Sequence, residues 1–136
     1  MSLKHFPLEY SGTLITVSVT LHGRSGSFVG KLALDTASNR TILTPPALLA
    51  IGHTYSPSSK KLSVTTGSGR DSAFEEYING IEALGIAANR FNVVCKPLPL
   101  PLYFLDGLLG LDFFQKTKAS ICLDFEKANI STSKPS

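Results

Sequence analysis

Apolar and polar side chains alternate along the first part of the chain, as they do in half-buried β-strands. Large apolar and hydroxyl residues take turns in the segment 12–21, and the segment 28–34 is again rich in β-forming residues. The intervening residues 22–27 include Gly23 and Gly26, which tolerate the positive φ angles of a tight turn. The pattern therefore predicts a β-hairpin.

The middle of the chain continues with short strands around one helical segment. Residues 41–43 predict a strand, and residues 45–52 predict one or two helical turns because Pro stands at the start and Gly at the end. Residues 61–65 and 73–78 flank the glycine-bearing segment 66–72. This arrangement predicts a second hairpin with a mobile tip.

The last third of the chain has one clear interruption. Residues 90–95 predict a strand, whereas the three prolines within 96–102 predict an extended surface connection because each proline lacks a backbone donor. A short helix is predicted near 112–114 and a last strand over 119–125. From Ser131 onward the residues are polar, and the segment is expected to bury nothing.

Chain length and composition favour one all-β domain with one or two short helices. The chain has 136 residues, 43 % of them hydrophobic, which suffices for a single core. The domain is expected to span residues 12–127. Residues 1–11 are interpreted as an N-terminal extension or expression-vector residues, and residues 128–136 as a polar C-terminal tail.

Charge and hydropathy argue against two classes of partner. Ten acidic and 13 basic residues give a net charge of +3, and no block of one sign exceeds the pairs Lys60-Lys61 and Glu75-Glu76. Nucleic acid is not favoured as a partner, because phosphate recognition concentrates basic residues. No run approaches the about 18 apolar residues of a membrane span, and no signal-peptide pattern is present. A soluble domain is expected, compatible with a fragment of a longer protein, in an undetermined compartment.

Cysteine and histidine spacing predicts no metal site. Cys95 and Cys122 fit either a disulfide or two buried thiols, and the second alternative is favoured because no secretory signal is present. His5, His22 and His53 occur in unlike contexts and are expected to be solvated. No ligand spacing typical of structural zinc occurs.

The first segment with candidate chemistry is Asp35-Thr36-Ala37-Ser38, which directly follows the apolar residues 32–34. A carboxylate at the end of a buried strand, followed by small and hydroxyl residues, suits a tight loop whose N–H groups bond a catalytic oxygen. The same residues also fit an Asx-turn that only satisfies the local backbone.

The second such segment covers residues 106–114, where two leucines precede Gly110. Large aliphatic residues before Gly suit a buried strand that ends where another backbone passes closely. A core strand that turns into a helix capped by Asp112 is the alternative. Between the two segments lies the hairpin tip with Gly67 and Gly69.

This order of segments resembles the retropepsin-like aspartic proteases over residues 12–127. Residues 32–38 look like the family's apolar-apolar-Asp-[Thr/Ser]-Gly-[Ala/Ser] loop, and residues 106–114 are similar to the segment around the aliphatic-aliphatic-Gly of bacterial members. The resemblance implies a closed acid-protease barrel, a flap hairpin over the substrate and an active site shared by two copies. The chain is too short for a bilobal enzyme, and only Asp35 has the required setting.

The resemblance also implies the roles of single residues. Asp35 is the catalytic residue of an aspartic endopeptidase that cuts peptide or protein substrates as a homodimer, without metal or cofactor. The other implied residues support the active-site loop (Thr36, Ala37, Ser38), form the flap that binds substrate (Thr66, Gly67, Ser68, Gly69), or provide the structural glycine of the second motif (Gly110).

Three positions depart from the family pattern. Ala37 replaces a glycine, and its loop is expected to function if its φ is negative, whereas a positive φ would cost on the order of 1 kcal/mol. Asn39 and Leu111 stand where retroviral enzymes have a paired Asp and Arg, so an equivalent brace is expected from Arg40 and Asp112. A catalytically weak dimerisation or peptide-binding module is therefore the alternative function.

Overall fold

The computed structural model describes residues 3–54, 60–66, 69–99 and 102–135. Most of them lie in strands, which confirms the all-β prediction. The strands are β1 (Lys4–Pro7), β2 (Glu9–Ser11), β3 (Leu14–Gly23), β4 (Gly26–Leu34), β5 (Ile42–Leu43), β6 (Lys60–Thr66), β7 (Gly69–Ala83), β8 (Ile86–Cys95), β9 (Gly107–Leu109), β10 (Ser120–Asp124) and β11 (Asn129–Ser133).

Two short α-helices accompany the strands, as the sequence predicts. Helix α1 spans Pro45–Ala50, and helix α2 spans Leu111–Thr117. A single 3₁₀ turn, Leu102–Phe104, follows the proline-rich connection. None of the helices in the described part of the chain combines the length and the apolar character that a membrane crossing requires.

The strands form two sheets. The larger sheet has the order β2-β3-β4-β9-β5-β8-β7-β6, and β3 also pairs with β7. The smaller sheet has the order β1-β11-β10. One main apolar core is formed chiefly by the larger sheet and the two helices, and its most deeply buried side chains include Leu21, Leu32, Ile81, Leu109 and Phe113.

Both predicted hairpins are present, and the described chain adds three more, β2–β3, β7–β8 and β10–β11. Strands β3 and β4 pair up to Gly23 and Gly26, which leaves a turn of only two residues. Strands β6 and β7 pair antiparallel in the second hairpin. The hairpin of β7 and β8 turns through Leu84 and Gly85, whose φ angles are 53° and 73°. Positive φ at both positions is what a two-residue hairpin turn requires.

The expectation that the polar C-terminal segment buries nothing is wrong. Strand β11 is the central strand of the small sheet, between β1 and β10, and its Ile130 and Thr132 are each about 1 % exposed. The Thr132 hydroxyl donates to the Leu84 carbonyl at 2.8 Å, so its burial leaves no unpaired polar group. Residues 4–7 and 9–11, expected to be an extension, are likewise strands.

The predicted states of one cysteine and one histidine are also wrong. Both cysteines are free thiols, but only Cys95 is buried, whereas Cys122 is exposed on β10. Burial, assisted by the charge of Glu76, raises the pKa of Cys95 to about 11. His53, expected to be solvated, is only 2 % exposed, because it follows helix α1 and donates its backbone N–H to the Leu48 carbonyl.

His53 is expected to make stability fall as the pH is lowered. Burial lowers its pKa below the ordinary 6.5 and the Arg24 charge adds to this effect, while Glu76, 3.7 Å away, opposes it. His53 of the unfolded chain therefore becomes protonated as the pH falls through about 6.5, whereas His53 of the folded chain becomes protonated only at a lower pH. Stability present above that pH is lost below it, at up to about 1.4 kcal/mol for each pH unit.

The measurement is the urea midpoint across this pH range for the native chain and two variants. His53→Gln should flatten the dependence, because the titrating group is gone. His5→Gln, which changes an exposed residue on β1, serves as the control and should keep the native slope. An unchanged slope in His53→Gln would show that other groups cause the effect.

Candidate active site

The two motifs singled out in the sequence lie next to each other at the ends of parallel strands. Strand β9 lies between β4 and β5 and runs parallel to β4, with Leu34 opposite Leu109. The next residues, Asp35 and Gly110, leave the sheet side by side. The Asp35 N–H donates to the Leu109 carbonyl at 2.9 Å, which fixes where residues 35–38, called the catalytic loop after the role that the resemblance implies, begin.

Hydrogen bonds within the catalytic loop orient the carboxylate of Asp35. The Ser38 N–H donates to the Asp35 carbonyl at 3.1 Å, and the Ala37 N–H donates to Asp35 Oδ1 at 3.1 Å. Asp35 itself is half-buried, while Thr36 and Ala37 are exposed. The loop thus presents an oriented carboxylate beside an uncovered surface of the chain.

Ala37 has the backbone conformation that an alanine adopts without strain. Among the described residues other than glycine, positive φ angles occur at four positions, and Ala37 is not one of them. The expectation of an ordinary φ at this position is confirmed. Its N–H remains available to Asp35 even though alanine replaces the family's glycine.

The close backbone approach expected at Gly110 is present. A Cβ atom there would lie 2.5 Å from the Arg40 carbonyl oxygen and 2.9 Å from that of Ser38. The Gly110 N–H donates to Thr41 Oγ1 at 3.1 Å, and the next residue, Leu111, donates its N–H to the Ser38 carbonyl at 2.9 Å. Residues 38–41 therefore pack directly on the start of α2, and only glycine fits between them.

Arg40 and Asp112 form the predicted brace, within a larger network. Arg40 Nε lies 3.6 Å from Asp112 Oδ2, and the Asp112 oxygens also accept from the Thr41 N–H at 2.9 Å and its hydroxyl at 2.7 Å. The Arg40 guanidinium further donates to Glu75 Oε1 at 2.8 Å and to the side-chain oxygen of Asn92. Arg40 thus connects the loop to α2, β7 and β8.

Sequence reasoning missed the contributions of Glu75, Asn92 and Thr41. One signal for the first lies in the pair Glu75-Glu76, because successive strand residues point to opposite faces. Accordingly, Glu75 contacts Arg40, whereas Glu76 lies 3.7 Å from Arg24 on the other side of β7. Thr41 carries no comparable signal, since its role depends on α2 being adjacent.

The predicted flap residues belong to the hairpin of β6 and β7, whose last described pair is Thr66 opposite Gly69. Gly67 and Ser68 lie outside the described residues. The β7 arm of the hairpin carries Glu75, so the bond from Arg40 joins the base of the hairpin to the residues that follow the catalytic loop.

Comparison with known proteins identifies the fold. No protein-family model and no curated protein sequence matches the chain. A solved structure, a retropepsin-like aspartic protease from Rickettsia conorii, superposes with a TM-score of 0.70 over 96 % of this chain and 98 % of that chain, at 14 % sequence identity. The fold is retropepsin-like. Asp35 therefore lies on a loop of a retropepsin-like fold, and the side-chain network described above fixes this loop to the neighbouring elements.

Proposed function

We propose that the chain is an aspartic endopeptidase that acts as a homodimer with one Asp35 from each copy. The observation that carries the proposal is the exposed loop in which the Ala37 N–H orients the Asp35 carboxylate, at the junction of β4 and β9 in a retropepsin-like fold. One carboxylate cannot serve as acid and base in the same step. A second copy of the chain supplies the second carboxylate.

The proposed reaction uses two carboxyl groups that share one proton. When two carboxyl groups lie side by side, the repulsion between their negative charges prevents both from being ionised. The ionised Asp35 takes a proton from a water molecule between the two side chains. This water attacks the peptide carbonyl carbon while the protonated Asp35 of the other copy donates its proton to the carbonyl oxygen. The exposed Thr36 is suited to hydrogen bonds between the two loops, whereas the Ser38 N–H and carbonyl are already bonded to Asp35 and Leu111 and hold the loop in shape.

The peptide substrate would lie extended beneath the β6–β7 hairpin. Strand-like main-chain hydrogen bonds hold such a peptide with little dependence on its side chains, and a closing hairpin excludes water. Thr66 and Gly69, with Gly67 and Ser68 between them, are the proposed contact residues. The bond between Arg40 and Glu75 would keep this hairpin in place relative to the catalytic loop.

The proposal is tested by peptide-library hydrolysis with the purified chain at acid and neutral pH. We expect cleavage that a statine-type transition-state mimic inhibits and a chelator does not. Sedimentation of the same preparation should show a dimer at the active concentration. Hydrolysis by a strict monomer, or hydrolysis that resists the mimic and disappears with the chelator, would contradict the proposal.

The variant Ala37→Gly separates the enzyme from the alternative of a weak peptide-binding module. Because φ at Ala37 is not positive, glycine relieves no strain and only adds freedom to the unfolded chain. We expect the free energy of unfolding to fall by about 0.4–1 kcal/mol, with turnover close to native. A large rise in turnover from a near-zero baseline would instead favour the weak module.

A further inference from the structure

Two adjoining cavities lie outside the candidate active site, between helix α1 and the base of the β6–β7 hairpin. The larger cavity, of about 350 Å³, lies against α1, and the smaller, of about 190 Å³, lies against the hairpin. Pro45, Phe74 and Cys95 border both, so the two cavities meet along these side chains. We call them together the α1 groove, whose other lining residues include Leu48, Leu49 and Lys96.

The larger cavity of the α1 groove has an apolar wall. Leu48, Leu49 and Phe74 line it, and Leu49 is 63 % exposed although its side chain is large and aliphatic. His53 also borders the cavity, but both of its ring nitrogens are shielded from solvent, so the imidazole presents no polar atom there. The volume falls within the range of about 300–1,000 Å³ of small-molecule sites. This cavity therefore suits a hydrocarbon group, whose transfer out of water is favourable.

The smaller cavity of the α1 groove carries the positive charge. Lys96 lines it and is only 9 % exposed, which is rare for a lysine without a partner. In the part of the chain that the structure describes, the Lys96 ammonium group makes no hydrogen bond and no ion pair. The exposed Lys61 on β6 adds a second positive charge. The described residues that line the two cavities include no Asp or Glu, so the groove suits an anion at this end.

We propose that the α1 groove binds an aliphatic carboxylate, a free medium-chain fatty acid. The hydrocarbon chain lies in the larger cavity, and the carboxylate lies beside the Lys96 ammonium group, which gains a charge-assisted hydrogen bond. The proposal goes beyond the proposed function and does not depend on it, since no residue of the groove belongs to the catalytic loop or to the network around Arg40.

The lining of the groove favours a free fatty acid over the carboxylate at the end of a peptide. A peptide would bring amide groups into the larger cavity, and burying an amide without a hydrogen-bond partner is costly. Thr54 is the only residue with a polar side chain besides His53 among the described residues that line this cavity, and Thr54 is exposed at its margin. A hydrocarbon chain makes no such demand.

The groove is formed by elements that the fold already holds in place. The Lys96 N–H donates to the Leu43 carbonyl at 3.2 Å, directly after β8 ends at Cys95. Phe74 pairs with Cys95 across β7 and β8, and both Cys95 and Leu48 belong to the main core. Because these walls are fixed by core packing and strand pairing, a ligand has little ordering cost to offset.

The groove and the Arg40 network lie on opposite faces of β7. Phe74 lines the groove, whereas the next residue, Glu75, accepts from Arg40, and successive strand residues point to opposite faces. Substitutions in the groove therefore leave the contacts of the catalytic loop in place.

Calorimetric titration of the purified chain with octanoate, below its micelle concentration, provides the first experiment. We expect saturable binding, and hexanoate should bind on the order of tenfold more weakly because it buries two fewer methylene groups. Octanol and octyltrimethylammonium carry the same hydrocarbon chain without the negative charge. Octanol should bind on the order of tenfold more weakly than octanoate, and octyltrimethylammonium more weakly still.

Three variants assign the two ends of the ligand. Lys96→Met removes the charge and keeps an apolar stem, so it should weaken octanoate on the order of tenfold while octanol binds as before. Leu49→Gln, in the wall of the larger cavity, should weaken both ligands several-fold. Lys31→Met is the matched control, because Lys31 is exposed on β4 away from the groove, and it should bind both ligands like the native chain. Circular dichroism verifies that each variant folds.

Four results would overturn the proposal. The first is the absence of saturable octanoate binding, and the second is equal affinity for octanoate and octyltrimethylammonium. The third is a Lys96→Met variant that loses octanoate and octanol alike, which would give Lys96 only a structural role. The fourth is tighter binding of acetyl-Leu-Leu than of octanoate, which would make a peptide carboxylate the occupant. Each result concerns binding alone and leaves the proposed peptide hydrolysis to its own test.

Discussion

Replacing Asp35 by Asn is expected to abolish the proposed peptide hydrolysis while the chain keeps its fold and the proposed dimer. The amide has the same shape, so its oxygen can still accept the Ala37 N–H that orients the native carboxylate. It cannot take a proton from water or share one with its partner, and turnover should fall on the order of 10³-fold. The measurements are peptide turnover, circular dichroism and sedimentation of the same preparations.

Mixing the native chain with Asp35→Asn tests whether the site is shared. Dimers that contain one Asn lack half of the carboxylate pair, so an equal mixture that exchanges subunits should retain roughly one quarter of the native dimer's activity. If each chain contained a complete site, the mixture would retain half of the native activity. Asp106→Asn is the control, because the Asp106 carboxylate accepts the Lys31 N–H, a bond that Asn can also make, and the mixture should remain fully active.

Gly110→Ala is expected to damage both stability and activity. The new methyl group would lie 2.5 Å from the Arg40 carbonyl oxygen and 2.9 Å from that of Ser38, so the backbone after the catalytic loop must move away from α2. Overpacking of this kind costs about 1–3 kcal/mol. Since the Ser38 carbonyl also accepts the Leu111 N–H, the displacement should disturb Asp35 and lower turnover along with the melting temperature.

Gly80→Ala is the matched control for this substitution. Gly80 lies in β7, has no positive φ, and a Cβ there would meet its nearest neighbours, Ala88 and His22, at 3.4 Å, close to ordinary contact. Its melting temperature and turnover should stay near native. If Gly110→Ala behaved like Gly80→Ala, the close packing between residues 38–41 and α2 would not matter for the site.

Local sequence patterns predicted the elements whose structure depends mainly on residues that are close together in the sequence. The first hairpin follows from alternation and two glycines, and helix α2 follows from the segment after Gly110. The brace between Arg40 and Asp112 was predicted because this chain has Asn39 and Leu111 where retroviral enzymes have a paired Asp and Arg, and the contact at 3.6 Å confirms it.

The elements that sequence reasoning missed depend on contacts between distant residues. Strand β11 is polar, and it is a strand because β1 and β10 pair with it on both sides. His53 is buried by the packing after α1, which its own neighbours in the sequence do not indicate. The bond from Arg40 to Glu75 joins residues 35 positions apart and requires β7 to pass the catalytic loop.

The pairing of Lys4 with Thr132 brings the beginning and the end of the folded chain to the same end of neighbouring strands. A short linker could join them at a small entropic cost, and the chain could be reopened at the turn of Leu84 and Gly85, which lies between the two motifs. Such a circular permutant would carry the same sheet pairings in a different covalent order. Asp35 and Gly110 are therefore neighbours because their strands pair, and they would stay neighbours if the chain connected the two motifs in a different order.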